Sequence, residues 1–440
     1  MAKKRQRRAG IGSGHQSEST QGSGPDGSSG SRAKPDRKLN TTIATVLFLI
    51  VCPATSVIVY RVLHPPNTPD LPYVYGRGLV NKDINYRQVL DENMKTSKNL
   101  SHRNFKNHVL AYITPWNSQG YDMAKKFSNK FTHLSPVWYE LKSQGTQLVL
   151  EGRHNADKGW ITEIRRTKNS QILPRVVLEA NPVDLLNKKK QRDEAVKLII
   201  AECKEMEYDG IVLESWSRWA AYGVLHDPDM RNMAKPQAAL KFIIQLGQSM
   251  HSVSLEPNRS QSLQLVYVIG PPHSDKLGEY DFGPEDLQSL SDDVDGFSLM
   301  TYDFSGPQNP GPNAPLQWIQ STMAVFVGAG SGDRQKLGKK IFIGLNFYGN
   351  DFAVSQGLGG GPIVGREYMS LLEQHKPQLH WEKKSAEHFF LYKDSRNIDH
   401  VVFYPSLLSI DLRLKEALSW EAGISIWEIG QGLEYFFDIL

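Results

Sequence analysis

From about residue 105 to the C-terminus the chain consists of short apolar runs separated by amphipathic stretches, and this alternation limits the fold more than any other feature. Eight runs can be counted: Val109–Ile113, 131–138, 172–178, Gly210–Glu214, 263–269, 296–302, 341–347 and 424–427. They are short and almost continuously apolar, which suits strands buried on both faces of a parallel sheet. Helix-like patterns lie between them, as at 194–206, Pro236–His251, Pro284–Leu290 and 412–422. Strands interleaved with helices make parallel βα units, and eight such units close a barrel. The expected fold class is α/β, a (β/α)8 TIM barrel over 105–440.

The interval between the seventh and eighth runs is too long for one helix. Residues 350–405 hold the cluster Gly357-Leu358-Gly359-Gly360-Gly361-Pro362 and two strand-like pieces, 379–381 and 400–404. This predicts a small α+β insertion between strands seven and eight. The glycine cluster lacks the Gly-Lys-Ser/Thr ending of a phosphate loop and is read as an ordinary loop.

Charge is unevenly placed. Nine Lys/Arg against three acids leave +6 on residues 1–40, so the total of +4 leaves −2 on the rest. The folded part therefore gives nucleic-acid binding no electrostatic support. Residues 1–40 are Gly, Ser, Gln, Lys and Arg with little apolar content, and read as a disordered basic cytosolic tail. Its run Lys3-Lys4-Arg5-Gln6-Arg7-Arg8 has the look of a nuclear signal, but a basic run before an apolar segment also meets the positive-inside rule. Residues 41–60 carry no charge, and about 20 residues span roughly 30 Å as a helix.

The expectation is an uncleaved transmembrane signal anchor at 41–61. It implies a single-pass type II membrane protein of the secretory pathway (ER, Golgi or lysosome/vacuole), with the barrel lumenal or extracellular. A cleaved signal peptide is the alternative; the run is longer than a usual h-region and ends in no small-x-small site. Residues 62–104, with Pro65, Pro66, Pro69 and Pro72, read as a stalk or linker. Asn99 and Asn258 head N-x-S sequons and are glycosylation candidates. Cys52 lies in the apolar run and Cys203 in a helical pattern, so no internal disulfide is expected.

The fourth run is Asp209-Gly210-Ile211-Val212-Leu213-Glu214-Ser215-Trp216, a buried strand ending in a carboxylate. It resembles the D-G-x-D-x-D-x-E signature of family 18 glycoside hydrolases, the chitinases. Asp209 and Gly210 match. Val212 stands for the first inner Asp, Glu214 for the second, and Trp216 for the final Glu, the proton donor. Met300-Thr301-Tyr302-Asp303 resembles the family's M-x-Y-D strand end, and the stretch from Gly344 through Tyr348 to Gly349 is similar to its G-x-P-x-Y-G. Trp427 matches the Trp that floors the sugar site, and Tyr112 and Trp116 fit the first strand. Within the family, the stretches 112–117, 311–316 and 425–432 resemble a branch known for binding saccharides in the secretory pathway.

This resemblance implies a chitinase-like protein that binds N-acetylglucosamine-containing oligosaccharides at the C-terminal face of the barrel. Family 18 chemistry uses the substrate's own N-acetyl oxygen as nucleophile, so the protein must supply one acid. Strand alternation puts Val212, Glu214 and Trp216 on one inward face. Glu214 then lies about 6–7 Å short of the donor position, and Trp216 has no suitable proton. Binding without efficient hydrolysis is expected. The alternative is a glycosidase with a displaced acid, Glu214 or Glu179; a structural membrane protein is a third.

Candidate substrate-binding residues are Tyr112, Trp116, Trp138, Trp216, Tyr302, Asp303, Asn346, Tyr348 and Trp427. Core packing is the competing role for the tryptophans, and a bond to Tyr302 the competing role for Glu214. No cofactor is expected. No metal is expected either, since no histidine pair has ligand spacing on a credible helix.

Overall fold

The computed structural model describes residue 45 and residues 47–63, 72–95, 100–167, 169–224, 236–254, 262–272, 282–328, 334–354 and 359–440. Asn99 and Asn258, the two sequon asparagines, lie outside the described residues, as does the basic tail. The chain divides into two compact units, Met1–Asp70 and Leu71–Leu440.

In the first unit a π-helical turn, Leu47–Val51, leads into the α-helix Cys52–Leu63. Pro53 sits in the first turn of that helix, where its missing N–H is tolerated. The helix has 12 residues, about 18 Å at 1.5 Å per residue, against roughly 30 Å of bilayer hydrocarbon. Among the described residues no helix is long and apolar enough to cross a membrane. The expected signal anchor at 41–61, the type II topology and the membrane as a partner are therefore corrected.

The second unit contains the barrel. Its strands are β1 (Val109–Ile113), β2 (His133–Gln144), β3 (Arg175–Leu178), β4 (Gly210–Glu214), β5 (Gln264–Ile269), β6 (Gly296–Leu299), β7 (Ile341–Asn346) and β8 (Gly423–Trp427). Each pairs with the next in parallel, and β1 pairs with both β2 and β8, so the ring closes. This is the expected (β/α)8 barrel. Its interior is filled by Leu110, Tyr112, Leu173, Val212, Val266, Val268 and Phe342. The alternate residues, such as Val109, Ala111, Leu265 and Tyr267, pack outward under the helices.

Strand β2 breaks this alternation. Its pairing with β3 slips in register between Val137 and Tyr139. Val137 packs on the interior, while both Trp138 and Tyr139 pack on the outer layer.

Between β7 and β8 five antiparallel strands run in the order Gly360–Ile363, Gly349–Ala353, Asp399–Phe403, Glu387–Lys393, His380–Glu382, with the helix Gly365–His375 beside them. Residues 72–95, within the stretch read as a linker, form the helices Tyr73–Gly76 and Tyr86–Asn93. Asn85 caps the second through Gln88, and Val74, Leu79, Ile84 and Val89 are buried in the barrel's main core. Val74 N–H donates to Asp438 Oδ2 at 3.0 Å, tying this segment to the chain's last turn.

The lower end of the barrel is plugged by rings. His108, His133 and Phe342 lie with centroids 5.3 to 5.9 Å apart. Phe342 fits because Gly296 and Gly423 face it; a Cβ on either would come within 2.7 Å of its ring.

Burial holds His133 down from 6.5 to about 3. The folded chain thus refuses a proton that the unfolded chain takes up below about 6.5. The stability His133 contributes is whole above that pH and falls as pH drops toward 3, by about 1.4 kcal/mol per pH unit. Urea unfolding from pH 7 to 4 should show a shallower acid slope in His133→Gln than in wild type. Equal slopes would contradict this reading of the plug.

Candidate functional site

At the upper, C-terminal end of the barrel the interior turns from apolar to polar. Above Val212 and Leu173 lie Tyr112 from β1, Arg175 from β3, Glu214 from β4, Ser298 from β6 and Trp427 from β8. Tyr112 donates its hydroxyl to Ser298 Oγ at 2.8 Å, and its ring meets Trp427 at 5.2 Å. The guanidinium of Arg175 lies 5.4 Å from the Trp427 ring centroid. Arg175 Nε donates to Glu214 Oε2 at 2.8 Å and its Nη2 bonds the same oxygen. Ser217 donates to Glu214 Oε1 at 2.9 Å. The side chains of Arg175 and Glu214 are only 15% and 10% exposed, so the pair is largely out of water. Glu214 is thus held by Arg175 and Ser217, not by Tyr302.

The second wall comes from β6 and β7. Tyr302 and Tyr348 meet edge to face at 6.4 Å. Tyr348 donates to Asp303 Oδ1, and Asn346 Nδ2 donates to the carbonyl of Tyr348 at 2.8 Å. Burial pushes the Tyr302, Tyr348 and Tyr112 hydroxyls above their ordinary 10. They are proton-bearing donors at neutral pH. Asp303 is exposed and has φ of 61°, a left-handed conformation costly for a residue with a Cβ. Asn313 holds it there, accepting from Asp303 N–H at 2.7 Å. Glu387 holds Asn313 in turn, through its backbone N–H at 3.0 Å, and the buried Arg413 pairs with Glu387.

Two expected site residues lie elsewhere. Trp138 is buried among Trp160, Tyr208 and Tyr139, with its Nε1 donating to Tyr121 Oη at 2.7 Å. The register slip in β2 carries it to the outer layer. Strand β4 ends at Glu214, and Trp216 begins the helix Trp216–Ala221 instead of continuing the strand's alternation. Its ring packs edge-on against Phe282 at 5.2 Å and beside Trp219, in the outer core and not in the interior cluster of Val212. Trp116 is 71% exposed on the loop after β1. Glu179 pairs with Arg218 at 2.7 Å, apart from the Arg175–Glu214 pair. Among the described residues no group of three or more His, Cys, Asp or Glu could hold a metal.

Arg175, Ser217, Ser298, Asn313 and Glu428 were not singled out from the sequence. Arg175 had a signal: a charge inside the apolar run 172–178 demands a buried partner. Glu428 follows Trp427 and faces the other way. It is fully buried, accepts from Gly430 N–H at 2.7 Å, and bonds Asn117 on the loop that carries Trp116. A Cβ on Gly120 would sit 3.0 Å from its Oε2, so the small residue there lets the loop close over it.

A sequence profile described as Glycosyl hydrolases family 18 matches residues 108–432. The "Uncharacterized glycosylase YvbX" of Bacillus subtilis (strain 168) is 26% identical over 221 residues, covering 50% of this chain and 60% of that protein. The chain therefore spans less than two thirds of that relative. A chitinase from Chromobacterium violaceum ATCC 12472 superposes with TM-score 0.60 at 17% identity, over 76% of this chain and 98% of its own. A family 18 chitinase from Cycas revoluta, solved in complex with (GlcNAc)3, superposes with TM-score 0.60 at 15% identity, over 75% and 97%. These structures share the fold.

Burial pushes Glu428 up from 4.5 to about 7. The folded chain keeps a proton that the unfolded chain gives up above about 4.5. The stability this contributes is whole below 4.5 and is lost as pH rises through about 7. Glu428→Gln has no such proton to lose, so its Tm should improve relative to wild type as pH goes from 4.5 to 7.5. A Tm difference that stays flat over that range would remove Glu428 from this role.

Proposed function

The chain belongs to glycosyl hydrolase family 18, and from that premise we propose that it is a chitinase-like carbohydrate-binding protein. Its ligands are chitin-type oligosaccharides containing N-acetylglucosamine, bound at the mouth of the barrel without efficient hydrolysis. The observation that carries this reading is the Arg175–Glu214 pair. Glu214 is the only carboxylate of the fourth-strand signature beyond Asp209, and both its oxygens accept hydrogen bonds from Arg175 and Ser217. A general acid must offer a proton within about 3 Å of the leaving oxygen. Glu214 is turned toward a guanidinium, and Trp216, at the donor's place in the signature, is packed under the helices.

The binding half of the reading rests on the aromatic mouth. Trp427 is half-buried with Arg175 against one face, and its remaining surface suits the apolar face of a pyranose ring. Trp116 stands exposed on the neighbouring loop, and the half-buried Tyr302 and exposed Asp303 offer polar groups to hydroxyl and N-acetyl groups, with Asn346 and Tyr348 buried behind them. The stretches 112–117, 311–316 and 425–432 resemble chitinase domain-containing protein 1, whose branch binds saccharides; that likeness supports the same role.

Calorimetry with chitotetraose should show binding, and chromatography after long incubation should return the sugar intact. Trp427→Ala should weaken binding at least tenfold, about 1.4 kcal/mol. Trp216→Glu should yield no activity, because its carboxylate would enter an apolar pocket; it should instead destabilise the fold by about 3–5 kcal/mol. Hydrolysis at ordinary chitinase rates that is lost in Glu214→Gln, or in Glu179→Gln, would replace this reading with a glycosidase using that carboxylate as acid.

A further inference from the structure

We propose that Arg175 is the positioning residue of the sugar platform: held by Glu214, its guanidinium fixes the angle of the Trp427 ring and so sets how well an oligosaccharide stacks there. This rests on the binding reading above.

The geometry is a chain of contacts across the barrel mouth. Ser217 orients Glu214, Glu214 holds Arg175, Arg175 lies against Trp427, and Trp427 leans on Tyr112, which is anchored to Ser298. Trp427 is the last residue of β8 and is only half-buried, so its ring needs more than the strand to hold its angle. Two neighbours do so instead, Tyr112 at 5.2 Å and tilted by 53°, and the guanidinium at 5.4 Å. A guanidinium can serve both partners at once. Its edge gives two N–H bonds that converge on Glu214 Oε2, while its charge is attracted to the indole ring. A lysine would carry the charge without the plane or the fork. Because both ions are largely out of water, each depends on the other. Glu214 also neutralises the charge, so the platform suits an uncharged sugar.

The role assigned to Glu214 here is indirect, which makes it separable from ligand contact. The test uses Arg175→Met, Arg175→Lys, Glu214→Gln and the double variant Arg175→Met/Glu214→Gln. Trp427 is followed by its near-UV circular dichroism, taken as the difference from Trp427→Phe, and binding is measured with chitotetraose. Arg175→Met should alter the Trp427 band in the ligand-free protein and weaken binding by about tenfold. Arg175→Lys should recover part of both. Glu214→Gln should move both readouts the same way, and the double variant should be no weaker than Arg175→Met, since Glu214 acts through Arg175.

An unchanged band and affinity in Arg175→Met, with Trp427→Ala still abolishing binding, would overturn the proposal. So would additive losses in the double variant, which would mean that Glu214 meets the ligand itself. If Arg175→Met fails to fold, the band and affinity of Arg175→Lys decide: wild-type values in both would refute the need for a planar fork. If wild-type protein does not bind chitotetraose, the functional reading fails, yet the ligand-free Trp427 band still decides whether Arg175 orients that ring.

Discussion

Arg175 carries a full charge into the top of a barrel whose middle is filled by apolar side chains, and much of the site follows from answering that charge. In a largely water-free layer an unpaired guanidinium costs several kcal/mol, so a carboxylate has to come to it. Glu214, one strand over, does so. That carboxylate is bonded on one oxygen by Arg175 and on the other by Ser217. The flat guanidinium also becomes a support for Trp427. On the proposed reading, one ion pair both withdraws a carboxylate from the mouth and steadies an aromatic surface in it.

Around this centre the loops are tied down by buried polar groups. Glu428 joins the end of β8 to the loop bearing Trp116 through Asn117 and Gly430. Asn313 holds Asp303 in a left-handed conformation, and Glu387 with Arg413 holds Asn313. Those last two residues lie beyond β7, in the inserted sheet and in the helix Leu407–Ser419. The segment between β7 and β8 therefore helps to shape the β6 side of the mouth. Polar groups with so many defined partners favour one arrangement of the rim.

The barrel was legible because strands buried on both faces read as unbroken apolar runs, and all eight runs became barrel strands. Side-chain direction was legible only where the strand stayed regular. Trp138 was misplaced because a register slip in β2 puts two successive residues on the outer side. Trp216 was misplaced because alternation was carried past Glu214, where the strand gives way to a helix. Arg175 went unnoticed because it was counted among its apolar neighbours. The uncharged run 41–60 suggested a membrane span from its composition, but the α-helix there has 12 residues, and among the described residues no helix is long and apolar enough to cross a membrane. The helices at 73–93 were hidden by the prolines before them, although Val74, Leu79, Ile84 and Val89 are the residues that dock them.

The central claim is that Glu214 serves Arg175 and not the sugar. A crystal structure of the wild-type protein soaked with chitotetraose tests it directly. The account predicts an unbroken oligosaccharide stacked on Trp427, with Glu214 still bonded to Arg175 and Ser217. A cleaved sugar, with Glu214 swung away from Arg175 to within about 3 Å of the glycosidic oxygen, would contradict it.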